Sequence, residues 1–552
     1  MKTKPFYLAF GLVLQFLVPA LGQQTFNVIK ADSLVQELIT PEVPGGAILI
    51  AKNGEVLLER YFGSTNLEQK SKTDELSLFR IGSLTKQFTA VGILKLVQEH
   101  KIRLEDSVGK FFPNSPGWFH SITIKQLLNH TSGIKNVTEL PNWKSEIESS
   151  KLSIEDILSL IWKEDLYFTP GTDFHYSNSN YIVLGRILEN VSGLTYSQFL
   201  SNQIFGPLGM NHTYYDDQQT VLPFRSEGYS KGTSGYQNDT FINMELPFAA
   251  GGLLMNLQDF RTWKNALDSG NVIPDSLLNQ AKTPATTSKG IEIGYGMGWS
   301  IGEIKGQRSI KHSGYINGFS SFEISLPYQS VFMVVFTNLE NWWNLEKNVS
   351  LIIAEALGDP FLTSSSTQIA TKDLEQWIGD YRDINQETRR ILLQEGHLYI
   401  CYPGGSKTRL LYEGNRNFQL ENSLVSIEFN NSSSESFTYS DLGIPRQFKA
   451  VNQLPKDEWI YKRVILNEDQ TQEYLGVYQF ENGPQFIIEQ LAGKIYGAVG
   501  KDKKEIVPFN KDHFFAKELD AILRFYRDEN QQVIGLIKIQ GDGEMKAPKN
   551  NK

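Results

Sequence analysis

Three short groups of residues carry types and spacings suited to acyl transfer: Ser83-Leu84-Thr85-Lys86, Tyr176-Ser177-Asn178 and His312-Ser313-Gly314. A hydroxyl and an amine three residues apart share one face of a helix, so Lys86 can reach and activate Ser83. Ser83 follows Gly82 and leads into a helical pattern marked by Phe88, Val91, Leu94, Leu96 and Val97. Its hydroxyl and backbone N–H then sit at a helix N-terminus, where the partial positive charge favours a developing oxyanion. Tyr176 and Asn178 follow the turn signal Pro170-Gly171 and precede a second helical pattern, so a loop held by rigid elements presents them. His312 falls at a strand edge near Gly314 and Gly318, which admit close approach of a substrate backbone.

Each pattern is weak alone. Ser107-Val108-Gly109-Lys110 repeats the first, but Gly109 and the following Phe111-Phe112-Pro113 make a loop rather than a helix start. Tyr236-Gln237-Asn238 and Tyr315-Ile316-Asn317 repeat the second without its turn-then-helix setting. A serine nucleophile must lose its proton, and free Lys and Tyr, with reference pKa values of about 10.4 and 10, are poor bases at neutral pH. Packed together, two such groups titrate as a coupled unit rather than one by one.

The elements that must hold these residues read as a mixed fold. Gly46 to Arg60 forms two β-prone runs around Asn53-Gly54, a hairpin signal, so the domain is expected to begin with antiparallel strands. Helical patterns dominate from Thr85 to Leu267, including Ile154 to Trp162 and Tyr181 to Val191. Strands return at Tyr295 to Ile301, Phe319 to Leu326 and Val331 to Phe336, then a helix at Leu345 to Leu357. Strands from both ends of the domain with helices between them predict an α/β fold with segregated helices.

A Ser- and Thr-rich stretch at 362–371 reads as a linker, and the chain beyond it repeats itself. Gly379 and Gly476, Tyr381 and Tyr478, Gly396 and Gly493, Tyr399 and Tyr496, and Phe418 and Phe515 each stand 97 residues apart. The spacing marks a duplicated unit, 372–465 and 466–552, each copy reading as short strands of a small antiparallel β-barrel without helical periodicity.

At 552 residues the chain exceeds one hydrophobic core, which agrees with several domains. Residues 1–22, with Lys2 and Lys4 ahead of an apolar run and Ala20-Leu21-Gly22 at its end, read as a signal peptide, so a secreted or periplasmic location is expected with no membrane span after cleavage. The single Cys401 excludes an intramolecular disulfide. The net charge of −9, or −11 once Lys2 and Lys4 leave with the leader, argues against nucleic acid as a partner and leaves a small molecule or peptide as substrate. The eight histidines show no metal-ligand spacing, so neither metal nor cofactor is expected. Asn136-Val137-Thr138 matches a glycosylation sequon.

Together with Leu104-Glu105-Asp106-Ser107-Val108, Asn129-His130-Thr131-Ser132-Gly133, Ala249-Ala250-Gly251-Gly252 and Tyr295-Gly296-Met297-Gly298-Trp299, the three groups resemble those of the serine β-lactamase and penicillin-binding-protein superfamily, on its class C β-lactamase, esterase and D-aminopeptidase branch. The duplicated region resembles the paired lipocalin-like barrels of D-aminopeptidase-type members. The resemblance implies a β-lactamase-like antiparallel sheet flanked by helices with a helical subdomain over 23–361. It also implies Ser83 as nucleophile, Lys86 and Tyr176 as general base and acid, Asn178 on the substrate amide, and the backbone N–H groups of Ser83 and Tyr315 as oxyanion hole. His312 stands where antibiotic-hydrolysing members carry a lysine that, with the neighbouring hydroxyl, holds the β-lactam carboxylate. Ser313 keeps that hydroxyl, but a neutral imidazole is a poorer anion partner. His312 is therefore expected to orient substrate or assist Tyr176. The function expected is a secreted serine hydrolase cleaving an ester or amide, including D-amino-acid peptides, through an acyl-Ser83 intermediate. A β-lactamase or D,D-carboxypeptidase, and a non-hydrolytic ligand sensor, are the alternatives. The repeats are expected to gate the cleft or bind a polymer surface, with two inert appended domains equally open.

Overall fold

The computed structural model describes residues 26–38, 43–140, 142–232, 235–304, 307–340 and 345–357, and most of 369–451 and 466–550. The expected leader and residues 362–368 of the expected linker lie outside the described residues.

Among the described residues the first element is a helix, α1 (Val28–Leu38), not the strands expected to come first. Its apolar residues Val28, Ala31 and Val35 fall on one face, a pattern weaker than the hairpin signal that follows it. The hairpin itself forms as β1 (Gly46–Lys52) and β2 (Glu55–Phe62). Asn53 and Gly54 both take positive φ, 52° and 80°, which is the type I′ turn that matches strand twist. The chain then passes through α2 (Thr85–Gln98) and α3 (Asn178–Ser192). It returns through β3 (Ser300–Ile304), β4 (Gln307–Ile316), β5 (Phe319–Leu326), β6 (Val331–Thr337) and α4 (Leu345–Ala356).

These strands make one antiparallel sheet in the order β3-β4-β5-β6-β1-β2, so the first and last strand pairs of the domain meet at β1 and β6. Both faces are covered. On β1, Ile48 and Ile50 pack with α1 and α4, while Ala47, Leu49 and Ala51 face the core that contains α2 and α3. Burial on both sides explains why β1 and β6 read as nearly unbroken apolar runs rather than alternating ones. On β4, Ile310, His312, Gly314 and Ile316 share the face toward α2, because side chains alternate along a strand. The expected strand from Tyr295 begins only at Ser300, because Gly296 and Gly298 turn the chain, Gly298 at φ 91°.

The C-terminal region forms two eight-stranded antiparallel sheets, the first a closed barrel from Gly379 to Val451. The second, from Gly476 to Pro548, brings its ends together through a bridge between Tyr478 and Lys549. A short helix precedes each (Thr371–Leu374 and Glu468–Tyr474), which the strand-only reading lacks. The duplication is visible in one repeated bond: Tyr381 Oη donates to Trp377 O at 3.0 Å, and Tyr478 Oη donates to Tyr474 O at 2.7 Å. The offset of 97 does not extend to the aromatic further on. Tyr412 pairs with Phe418 in the first copy and Pro508 with Phe514 in the second, so the partner of Phe418 is Phe514 rather than Phe515. The first barrel is filled by Trp377, Tyr381, Phe418, Phe429, Phe437 and Phe448. Its strand Ile444–Val451 lies against β3, and a cleft of about 780 Å³ separates the two bodies between Glu303 and Glu413.

Candidate active site

Ser83 sits in a 3₁₀ turn (Gly82–Leu84) that runs into α2, half-buried, while Lys86 one turn on is fully buried. Lys86 Nζ has three neighbours at 2.8 Å: Ser83 Oγ, Asn178 Oδ1 and Ala250 O. Burial pushes the Lys86 amine well below its ordinary value. A neutral amine has two hydrogens and a lone pair. Asn178 Oδ1 and Ala250 O can only accept, so they take both hydrogens and leave the lone pair directed at the Ser83 hydroxyl. The Ala250 carbonyl is held in place because Thr89 Oγ1, also on α2, donates to Ala249 O at 2.6 Å.

Tyr176 completes the cluster. Its hydroxyl interacts with that of Ser83, and its ring lies under Lys86 Nζ at 5.0 Å from the centroid. Desolvation raises the phenol above its ordinary value, so it carries a proton at neutral pH. The buried imidazole of His130 packs against the Tyr176 ring with centroids 4.3 Å apart. His130 Nδ1 accepts from Ser177 N at 3.1 Å and from Asn180 Nδ2 at 3.0 Å, which fixes the strand of chain carrying Tyr176 to the start of α3.

His312 is 4% exposed, and burial together with the nearby Lys86 amine pushes it down to about 3. The neutral ring donates from Nδ1 to Ser313 O at 2.6 Å and accepts at Nε2 from the Tyr295 hydroxyl at 2.9 Å. Both nitrogens are thereby engaged. The expected direct assistance to Tyr176 has no hydrogen bond left to act through, and the two rings stand 6.1 Å apart.

Two glycines let β4 approach the nucleophile turn. Gly82 has φ 50°, and a Cβ there would come 2.8 Å from Tyr315 N, while a Cβ on Gly314 would collide with Ile81 O. Ser321 Oγ donates to the same Ile81 carbonyl at 2.7 Å and ties the turn to β5. The backbone of Tyr315 is thus brought beside Ser83. The Tyr315 side chain is 44% exposed and Ser313 is half-buried. β3 pairs with β4 only as far as Lys311, so the described ladder leaves the outer edge of His312 to Ile316 beside the site without a strand partner. Among the described residues no group of three His, Cys, Asp or Glu side chains could hold a metal ion.

The beta-lactamase family model matches residues 31–357, more than half of the chain. The chain belongs to the beta-lactamase family. Within this family it is similar to the protein flp of Staphylococcus aureus, 32% identical over 326 residues, which cover 56% of this chain and 63% of that protein. The chain thus spans less than two thirds of the length of that relative. Penicillin-binding protein 4* of Bacillus subtilis is 27% identical over 411 residues, 70% of this chain and 89% of that protein. The octameric penicillin-binding protein homologue of Pyrococcus abyssi shares the fold, with a TM-score of 0.54 at 22% identity over 76% of this chain and all of that one. A D-stereospecific amidohydrolase from Streptomyces sp. aligns with a TM-score of 0.50 at 26% identity, covering 57% of this chain and 95% of that one.

The beta-lactamase fold brings Ser83, Lys86, Tyr176 and Asn178 together, with Lys86 hydrogen-bonded to Ser83 and Asn178 and the Tyr176 ring beneath its Nζ. Of the repeated patterns, Tyr315-Ile316-Asn317 reaches the site through the Tyr315 backbone, and the other two fall elsewhere. Ser107 Oγ donates to His120 O, Lys110 pairs with the Asp106 carboxylate, and Tyr236 is exposed on a two-stranded ribbon. The sequon is also accounted for: Asn136 is 6% exposed, and the Nδ2 a glycan would need donates to Glu139 Oε1 at 3.0 Å. Residues absent from the sequence reading of roles are His130, Asn136, Thr138, Ala250 and Tyr295. Ala250 acts through its backbone, and the others act through partners from distant segments, so nothing in their identity marks them. His130 and Tyr295 did lie within family-like stretches.

Proposed function

We propose that the protein is a serine acyl hydrolase that cleaves ester or amide bonds, D-amino-acid amides and peptides among them, through a covalent acyl-Ser83 intermediate. The observation that carries this reading is the Lys86 amine, desolvated and held by two acceptors so that its lone pair meets Ser83 Oγ. Lys86 takes the serine proton as Ser83 Oγ attacks the carbonyl carbon. The Tyr176 phenol gives its proton to the departing amine or alkoxide and is restored from the Lys86 ammonium. The backbone N–H groups of Ser83 and Tyr315 receive the oxyanion. Water then attacks the ester carbonyl of acyl-Ser83 with the same groups acting in reverse, releasing the acid and the free serine. The likeness to a D-stereospecific amidohydrolase supports the amide substrate class.

A D,D-carboxypeptidase or β-lactamase reading shares this acylation chemistry. The neutral His312 weighs against efficient capture of a β-lactam carboxylate, because no cation stands at that position. We further propose export of the chain by its N-terminal leader, and a role for the first barrel in holding the segment around Glu292 to Glu303 that leads through Tyr295 to His312. A fluorophosphonate adduct on Ser83, found by mass spectrometry and lost in Ser83→Ala, is the expected result. An unmodified Ser83 under conditions that label other serine hydrolases would overturn the reading.

A further inference from the structure

Asn178 offers Lys86 its carbonyl oxygen, yet an amide can present either end, and an N–H₂ facing the amine would remove one of the two acceptors that orient the lone pair. The residues that settle this lie on the loop 136–139. Asn136 Oδ1 receives the backbone N–H of Asn178 at 3.1 Å and that of Thr138 at 3.4 Å. Backbone N–H groups can only donate, so the Asn136 oxygen must face them. Its Nδ2 points the other way and donates to the Glu139 carboxylate, which can only accept. The Thr138 hydroxyl lies 3.0 Å from that same Oδ1 and donates to it. Its oxygen is then free to accept, and it accepts from Asn178 Nδ2 at 3.2 Å. With Nδ2 committed to Thr138, Asn178 Oδ1 is the end that meets Lys86. Every bond from Glu139 to Ser83 thus runs in one direction. The same Asn136 oxygen does the work of an N-cap for α3, whose own N-cap residue Ser177 makes no side-chain cap bond.

We propose that Asn136 and Thr138, anchored by Glu139, form a positioning relay that fixes which end of the Asn178 amide meets Lys86 and so sets the strength of Lys86 as the base for Ser83. The inference rests on the serine hydrolase reading above. The other titratable groups around Lys86 are Tyr176 and Tyr181 beneath its ammonium position, and His130 and His312, both held neutral by burial. Glu139 sits beside His175 and Tyr167, 3.1 and 3.2 Å from its Oε2.

The test is the rate of fluorophosphonate labelling of Ser83 as a function of pH, in the full chain. Thr138→Val keeps the shape and removes the hydroxyl. Its plateau rate should fall about tenfold, the size of one oriented hydrogen bond, and its acid limb should move to lower pH because Lys86 loses an acceptor that stabilises the ammonium. Thr138→Ser should restore both. Asn136→Asp keeps the acceptor and the cap but adds negative charge, so its acid limb should move the opposite way, to higher pH. A purely structural role would lower thermal stability without moving the limbs in opposite directions. Wild-type rate and profile in Thr138→Val, failure of Thr138→Ser to restore them, or an unmoved limb in Asn136→Asp would each overturn the relay. If Thr138→Val does not fold, Thr138→Ala, which also lacks the hydroxyl, is read by the same two criteria. An unlabelled wild-type Ser83 would instead remove the hydrolase reading, and the relay with it.

Discussion

The Tyr295 hydroxyl lies 2.9 Å from His312 Nε2, and with Nδ1 bonded to Ser313 O this makes His312 a neutral, doubly anchored ring at the edge of the site. Burial pushes it down to about 3, so it is uncharged from mildly acid to alkaline pH. The acid limb of the kcat/KM profile for a short-chain p-nitrophenyl ester should therefore stay in place in His312→Gln, because His312 does not titrate in that range. His312→Lys should lower KM for a chromogenic cephalosporin about tenfold through the added cation, with a much smaller change for an uncharged ester. Equal effects on both substrates would show that His312 does not govern anion preference.

Lys86 is buried with its amine below its unfolded value of about 10.4, so the unfolded chain binds more protons than the folded one between the two values. Stability should rise with pH through that window and level off above it. Lys86→Met should lose this part of the slope in urea melts taken across alkaline pH, while Ser83 labelling falls at least about a thousandfold. A retained slope would place the depressed group elsewhere.

Gly314→Ala would drive a Cβ into Ile81 O and separate β4 from the nucleophile turn. We expect kcat for ester hydrolysis to fall by about a hundredfold or more as the oxyanion contacts are lost. Ser313→Ala, one residue away and without that clash, should leave the fold intact and serve as the comparison in circular dichroism. A kcat near wild type in Gly314→Ala would show that the close approach is not needed.

Tyr381→Phe and Tyr478→Phe delete the same hydroxyl bond in the two barrels. Each should destabilise its own barrel by about 1 kcal/mol. Hydrogen exchange should locate the loss in 379–451 for the first and 476–548 for the second. Effects that spread equally over both barrels would indicate a single cooperative unit.

Much of this protein was legible as one-dimensional pattern. Asn53-Gly54 between apolar runs can close only as a tight hairpin, Ile154 to Trp162 repeats with helical period, and Val331 to Phe336 is long and apolar enough to be a buried strand. Ser83 and Lys86 are neighbours by helix geometry alone, since three residues cover most of one turn. The duplication was visible because each Tyr and the residue four before it keep their spacing, and it blurred at Phe418 because the second strands start 97 residues apart, at His397 and Lys494, but the third strands only 95 apart, at Lys407 and Asp502. Helix α1 was missed because a short amphipathic stretch has a weak signal beside a strong hairpin. What depended on the folded chain was everything that acts across long sequence separation. Ala250 O reaches Lys86 over 164 residues, Asn136 reaches Asn178 over 42, and Gly82 meets Gly314 from another element. Spacing along a chain can state which residues share a helix face or a strand face. It carries no information about which carbonyl, amide or glycine from a distant segment arrives there, and those arrivals set the charge of Lys86 and His312.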